Sequence, residues 1–273
     1  MSGFETFKHW AVVNQQLGAT ETITALAHNN TLMNLSITQQ QPILHFWTLP
    51  QNVILGMMDT KLPNFAVATQ WLTDNHYDYA VRNVGGLGVV SNQGVLNVSC
   101  YLPDLADQLS INQAYELIQT WLTQTFATDE HPIKSFEVTH SYCPGRYDLS
   151  IAGQKFAGIA QRRRKNGIAI QLYISVLGDQ NKRGQLMQTF YTRGQAQEQT
   201  QWHFPDVIPA SMANLANLLD QPLTPALVQQ RLLVTFQQAY QVELSTDLTA
   251  ALNSEAYQQG LTRQIQLLQR YQK

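Results

Sequence analysis

Two hairpin signals between residues 146 and 176 constrain the fold of this chain more than any other feature. The segments RYDLSI and KFAGIA flank Ala152-Gly153, and IAIQLYISV follows an Asn-Gly pair at 166–167. Short apolar segments on either side of a tight turn are typical of neighbouring antiparallel strands. Together with the preceding SFEVTH (135–140), these segments predict four strands.

Further strands are predicted earlier in the chain. ILHFWTL (43–49) and VILGM (53–57) flank a turn at Pro50 and predict a pair of strands. DYAVRN (78–83), LGVV (87–90) and VLNVSCYL (95–102) predict three more, separated by glycine-containing turns.

Helical periodicity alternates with these strands. In the first forty residues it predicts two helices, one capped by Ser2 with Phe4, Phe7 and Trp10 inward, and one starting at Thr20. Further helices are expected over 63–72 and 111–126. This mixture predicts an α+β fold with a mixed, largely antiparallel sheet flanked by helices.

After Gln180 the sequence predicts helices and no strands. Thr224-Pro225 is a helix start, and Leu252, Leu261, Ile265 and Leu268 are assigned to the last helix. We therefore expect one main domain over 1–228, with C-terminal helices over 229–273 packed on it.

Composition excludes several classes of function. Only 13 % of residues are charged and the net charge is −2, so neither a nucleic acid nor a membrane surface is an expected partner. The start has no secretory signal and no apolar segment could span a bilayer, which predicts a cytoplasmic protein. Two cysteines and scattered histidines predict neither a disulfide nor a metal site, and no nucleotide-binding glycine motif is present.

Arg82 and Cys143 are two candidate functional residues, the first close to paired glycines and the second at the start of a loop. Arg82 precedes Gly85-Gly86, which let a ligand lie against the main chain, although these residues alone favour a tight hairpin turn. Cys143 precedes Pro144-Gly145 at the end of a predicted strand, where reactive groups concentrate, whereas Cys100 lies within an apolar strand.

Lys155 is the third candidate, because an ammonium is poorly suited to the apolar strand KFAGIA. The alternative is a solvated lysine at the strand end. An ammonium near a thiol stabilises the thiolate and, once deprotonated, can transfer a proton. The hairpin pairs Lys155 with about Ser150 and places Cys143 far along the ladder, near Arg162. Contact therefore requires the Cys-Pro-Gly loop to fold back over the sheet.

The blocks VRNVGGLGVVSNQGVLNVS (81–99) and SYCPGRYDLSIAGQKFAGIAQRR (141–163) resemble the lipoate/biotin protein ligase superfamily. Within it they are similar to amidotransferases of lipoate assembly, over roughly residues 40–228. The resemblance implies that Arg82, Gly85 and Gly86 line an acyl pocket. It also implies that Lys155, with Gly158, contacts the acyl carbonyl and that Cys143 forms an acyl-thioester.

The implied reaction moves an octanoyl group from the lysine of the glycine cleavage H protein to lipoyl domains of 2-oxoacid dehydrogenase E2 subunits, without a cofactor. Ser91-Asn92 stand where ATP-dependent lipoate ligases tend to have His-Asp, which favours covalent transfer. Alternatives are an octanoyltransferase that draws on acyl carrier protein, an ATP-dependent ligase, and a non-catalytic binder of acylated domains.

The densest basic run comprises Arg162, Arg163, Arg164 and Lys165. Lipoyl domains and H protein are typically acidic in this family, so these residues are predicted to dock the protein substrates. The alternative is a solvated hairpin end.

Overall fold

The computed structural model describes residues 3–103, 109–196 and 201–272. Among these residues, eleven strands and eight α-helices are present, with short 3₁₀ turns at Phe4–Thr6, Asp59–Lys61 and Pro209–Ser211. The strands are β1 (His9–Gln16), β2 (Ile43–Thr48), β3 (Gln51–Leu55), β4 (Asp78–Val81), β5 (Val89–Asn92), β6 (Val95–Pro103), β7 (Lys134–Ser135), β8 (Leu149–Ile151), β9 (Gln154–Arg164), β10 (Gly167–Ser175) and β11 (Glu243–Ser245). The helices are α1 (Thr22–Gln39), α2 (Phe65–Asp74), α3 (Ile111–Phe126), α4 (Gln180–Gln195), α5 (Leu215–Leu218), α6 (Pro225–Tyr240), α7 (Thr249–Leu252) and α8 (Glu255–Gln269).

Eight of the described strands form one sheet in the order β11-β1-β2-β6-β10-β9-β8-β7. β1 pairs in parallel with β2 and with β11, and every other neighbouring pair in this sheet is antiparallel. A small sheet has the order β4-β3-β5. The predicted α+β class, with a mixed and largely antiparallel sheet flanked by helices, is confirmed.

Side chains alternate between the two faces of the large sheet, and each face packs on a different set of helices. On one face, Trp10 and Val12 pack with α3 and α6. On the other face, Ala11 and Val13 pack with α1 and α8. The small sheet packs on α2 and α4.

Several local predictions agree with the structure. The helix over 111–126 has the expected bounds, and Ser110 caps it by accepting from the backbone N–H of Gln113. Thr224 caps α6 in the same way, with Pro225 at the first helical position. Ala152 and Gly153 both have positive φ and form the predicted turn between β8 and β9.

The predicted N-terminal helix is wrong. Phe4–Thr6 is a single 3₁₀ turn and His9–Gln16 is a strand, while the proposed cap Ser2 lies outside the described residues. β1 has neighbours on both edges and helices on both faces, so Trp10–Val13 are all buried. An uninterrupted buried run has neither helical nor strand periodicity, which is why the pattern misled.

The predicted pairing of the strands around Pro50 is also wrong. Both strands form, but β2 takes β1 and β6 as neighbours in the large sheet, whereas β3 pairs with β4 and β5. Because both edges of β2 are occupied, the chain after Pro50 must leave for the second sheet.

Two further predictions need correction. Of the segment 135–140, only Ser135 lies in a strand, because Val138 donates its N–H to the Asp148 side chain instead of to a ladder. Among the described residues after Gln180 one strand is present, β11, and Leu252 belongs to the separate helix α7.

The C-terminal segment closes two edges of the fold. β11 pairs with β1, and the Gln272 amide binds Val81 of edge strand β4 twice, accepting from its N–H at 2.7 Å and donating to its carbonyl at 3.1 Å. α6 spans the proposed boundary at 228, and a division of the chain there stays a prediction. In the described part of the chain, no helix has the length and apolarity needed to span a bilayer.

Candidate active site

Cys143 lies in the loop between β7 and β8, and residues 138–148 of that loop are called the site loop below. Its backbone is left-handed, with φ of 55°, which is uncommon for a residue other than glycine. Its half-buried thiol accepts from the backbone N–H of Leu87 at 3.3 Å, and an Arg82 Nη2 lies 3.8 Å from Sγ. The site loop therefore does fold back over the sheet, as contact with Lys155 required.

Lys155 pairs with Ser150 across the β8–β9 hairpin, in the predicted register. Its side chain is only 6 % exposed, so the alternative of a solvated strand end is wrong. The ammonium contacts the Asp148 carboxylate at 2.9 Å and donates to the Cys143 carbonyl at 2.7 Å. Lys155 thus binds the main chain of Cys143, while the thiol contacts Leu87 and Arg82.

Asp148 is the site residue that the sequence interpretation missed. Its carboxylate is 3 % exposed, and its second oxygen accepts from the N–H groups of Val138 and Gly145. Burial raises the pKa of this carboxyl, and the Lys155 charge opposes part of the rise. The sequence held a signal for this residue: an aspartate lies inside the apolar segment RYDLSI, and one hairpin turn separates it from a lysine in the next strand.

Arg82 begins a second loop, residues 82–88, which we call the glycine loop. Its Nη2 donates to the Leu87 carbonyl at 3.0 Å, and Gly86 has φ of +100°. Gly86 also lies against Gly56, where a Cβ would be 1.9 Å from the Gly86 carbonyl oxygen. Only glycine fits at position 56, and the close contact fixes the path of the glycine loop over the thiol.

A cavity of about 290 Å³ opens beside Cys143, and Lys155, Arg82, Gly85, Gly86 and Gly158 all line it. The structure thus brings all the predicted catalytic and substrate-binding residues to one site. Much of the wall is apolar: Leu26, Trp47, Ile54, Val84, Val89, Ile159 and Leu172.

One row of residues that crosses four neighbouring strands forms part of the floor of this cavity. Gly158 of β9 is opposite Tyr173 of β10, which is opposite Asn97 of β6, which is opposite Trp47 of β2. The row spans about 14 Å, since neighbouring strands lie about 4.8 Å apart. The next residue in the row, Gln15 of β1, does not line the cavity, so Trp47 closes the far end.

The basic run does not form one free patch. Arg162 and Arg164 donate to Asn30 and Asn34 of α1, and Arg163 donates to the Leu109 carbonyl. Lys165 is exposed at the tip of the hairpin.

Comparison with known proteins places this site in a family. The lipoyl protein ligase A/B catalytic domain family matches residues 21–237. The chain belongs to this family. It is 39 % identical over 216 residues to the octanoyl-[GcvH]:protein N-octanoyltransferase of Oceanobacillus iheyensis, covering 79 % of this chain and 77 % of the relative.

Two other relatives of this family align over much of the chain. The octanoyl-[GcvH]:protein N-octanoyltransferase of Exiguobacterium sibiricum is 37 % identical, over 93 % of this chain and 92 % of its own length. The lipoyl-[GcvH]:protein N-lipoyltransferase of Listeria monocytogenes is 39 % identical, over 76 % and 74 %. These relatives confirm the resemblance stated from the sequence and the assignment to acyltransferases.

Solved structures agree on the fold. Lipoate-protein ligase A bound with ATP superposes with a TM-score of 0.74 at 16 % identity, covering 94 % of both chains. A bipartite lipoate protein ligase from Thermoplasma acidophilum superposes with a TM-score of 0.69 at 15 % identity, covering 95 % of this chain and 92 % of that one.

The buried ion pair yields a stability prediction. Asp148→Asn leaves the Lys155 ammonium buried without its carboxylate, so the free energy of unfolding should fall by about 3 kcal/mol. Urea unfolding of wild type and variant measures this loss. The double variant Asp148→Asn/Lys155→Met removes the stranded charge and should regain part of the loss. A cost below about 1 kcal/mol for Asp148→Asn contradicts the assigned pairing.

Proposed function

We propose that this chain moves an octanoyl group from the lysine of octanoylated GcvH, the glycine cleavage H protein, to the lysine of E2 lipoyl domains through a thioester on Cys143. The observation that carries the proposal is a half-buried thiol at the mouth of an apolar cavity, facing a backbone N–H. Membership of a family that contains octanoyl-[GcvH]:protein N-octanoyltransferases supports the donor and the acyl group.

The first half-reaction exchanges an amide for a thioester. The Cys143 sulfur attacks the carbonyl carbon of octanoyl-lysine, the C–N bond breaks, and the thiol proton leaves with the lysine nitrogen. In the second half-reaction the acceptor lysine attacks the thioester, the C–S bond breaks, and the thiol is restored. One amide replaces another of the same kind, so the net transfer needs no ATP.

The site supplies a group for each part of this reaction. The Leu87 N–H, 3.3 Å from the sulfur, is the donor that stabilises the oxyanion of the tetrahedral intermediate. Lys155 is proposed to contact the acyl carbonyl, stabilise the thiolate and transfer the proton. Its contact with the Cys143 carbonyl adds a second role, because it supports the left-handed backbone of the nucleophile.

The acyl chain is proposed to lie along the row from Gly158 to Trp47. Gly158 leaves room next to Lys155 and Gly86 leaves room next to the Cys143 sulfur, and with Gly85 they are proposed to accommodate the carbonyl end of the substrate. The apolar wall then buries the methylene groups, each of which contributes about 0.8 kcal/mol of binding.

The decisive experiment follows the octanoyl group by intact mass spectrometry. Purified enzyme is mixed with octanoylated H protein and apo lipoyl domain, without ATP. Wild type and the control Cys100→Ala should gain one octanoyl group and transfer it, because Cys100 is 1 % exposed in the core. Cys143→Ala should gain none and lose transfer by at least about 1,000-fold.

The outcomes separate the competing functions. Transfer that persists in Cys143→Ala and requires ATP indicates a ligase. A donor requirement for acyl carrier protein indicates the other octanoyltransferase, and binding without any loss of the acyl group indicates a non-catalytic binder. Each of these results contradicts the proposal.

Trp47 is predicted to set the upper limit of acyl chain length. Trp47→Leu opens the far end of the cavity, and two more buried methylenes contribute about 1.6 kcal/mol. The ratio of kcat/KM for decanoylated over octanoylated H protein should therefore rise by about 15-fold. Trp202→Leu, which changes a tryptophan outside the cavity, is the matched control. An unchanged ratio in a folded Trp47→Leu variant refutes the assignment.

We propose that docking of acidic partner domains by residues 162–165 depends on Lys165. The three arginines of this run donate hydrogen bonds to other parts of the same chain. Lys165→Glu should raise KM for H protein by about 5-fold at low salt, with kcat unchanged. Lys8→Glu is the control, since exposed Lys8 precedes β1, four strands from β9. Equal effects of the two charge reversals contradict specific docking.

A further inference from the structure

The direction of the Leu87 N–H depends on the two peptide groups that flank Leu87. The Gly86–Leu87 peptide carries this N–H, and its carbonyl oxygen lies directly against Gly56. The Leu87–Gly88 peptide is bound at both ends: Arg82 donates to its carbonyl and its N–H donates to the Tyr191 hydroxyl at 3.0 Å. Neither peptide can rotate without breaking one of these contacts.

Tyr191 reaches the glycine loop from α4 and is itself fixed by a carboxyl group. Its hydroxyl donates to Asp59 Oδ1 at 2.9 Å, and Asp59 Oδ2 accepts from the Gly56 N–H at 2.7 Å. Tyr191 is 1 % exposed and Asp59 is fully buried. The chain of contacts therefore joins both peptides, one through Gly88 and the other through Gly56.

We propose that Tyr191 and Asp59 are positioning residues for acyl transfer, which aim the Leu87 N–H at the reacting sulfur. The inference rests on the proposed function, because it assigns a reaction to that sulfur. Neither side chain lines the cavity, so both act through the glycine loop.

The buried environment of the Asp59 carboxyl supports a functional role for this residue. Burial raises the pKa of its carboxyl to about 7, although the Gly56 N–H, the Tyr191 hydroxyl and the charge of Arg82 all oppose the rise. A buried carboxyl of this kind is unfavourable for stability, and such groups concentrate at functional sites.

Two reactions of the same thiol distinguish positioning from general support of the fold. Acylation by octanoylated H protein passes through a tetrahedral oxyanion, which needs the aimed N–H. Alkylation by iodoacetamide forms no oxyanion, and its rate reports the accessibility and the thiolate fraction of Cys143. A residue that aims the donor at the oxyanion therefore slows acylation much more than alkylation.

The test is Tyr191→Phe, which removes one hydroxyl and keeps the ring that packs on Phe190 and Phe204. In single-turnover experiments, acylation of Cys143 should slow by about 30-fold, with KM for the donor and the alkylation rate within 2-fold of wild type. Tyr257→Phe is the matched control, because it removes a buried hydroxyl that contacts His28 on α1. The control should change neither rate.

A second variant tests whether the two residues act as one unit. Asp59→Asn keeps the shape of the side chain but alters its hydrogen bond with Tyr191, so it should also slow acylation. The introduced amide keeps an oxygen that can accept from the Gly56 N–H, so the substitution changes only the contact with Tyr191, and the double variant should be no slower than Tyr191→Phe alone.

Equal slowing of acylation and alkylation in Tyr191→Phe, or no change in either, overturns the positioning role while leaving the proposed function in place. Additive losses in the double variant also overturn it. If wild-type Cys143 is never acylated, both proposals fail.

Discussion

The buried pair of Lys155 and Asp148 is the interaction on which the site depends. The Asp148 carboxylate accepts from the N–H groups of Val138 and Gly145, and the Lys155 ammonium donates to the Cys143 carbonyl. These two charges therefore hold the site loop in its conformation. Burying either charge alone costs several kcal/mol, which ties the conformation of the loop to the presence of both. The left-handed backbone of Cys143, the proposed nucleophile, is thus held by Lys155 of the neighbouring strand β9.

The rigid sheet gives the cavity its direction and length. Because the row crosses strands at a fixed spacing, the size of the side chain at each position sets the length of the cavity. Glycine occupies the end next to the thiol, and tryptophan occupies the other end. The glycine loop and the small sheet form the opposite wall. The proposed catalytic part is thus built on loops fixed by polar contacts, and the proposed acyl-binding part on the register of regular strands.

Much of this arrangement was accessible from the sequence, and the failures have physical causes. Turn chemistry located the β8–β9 hairpin and the pairing of Lys155 with Ser150, since both depend on local residues. β1 was mistaken for a helix because a strand buried on both faces shows no periodicity. Asp148 was missed although a local signal existed, whereas the proposed roles of Tyr191 and Asp59 were not visible, because these two residues are 132 positions apart.

Two C-terminal contacts cover edges formed by earlier strands: β11 pairs with β1, and Gln272 binds Val81 of β4. On the ribosome, residues 243–272 emerge after these strands. Until residues 243–272 are synthesised, the nascent protein carries two unpaired sheet edges, and such edges favour aggregation. A polypeptide released before residue 243 would keep Cys143 and Lys155 but expose both edges.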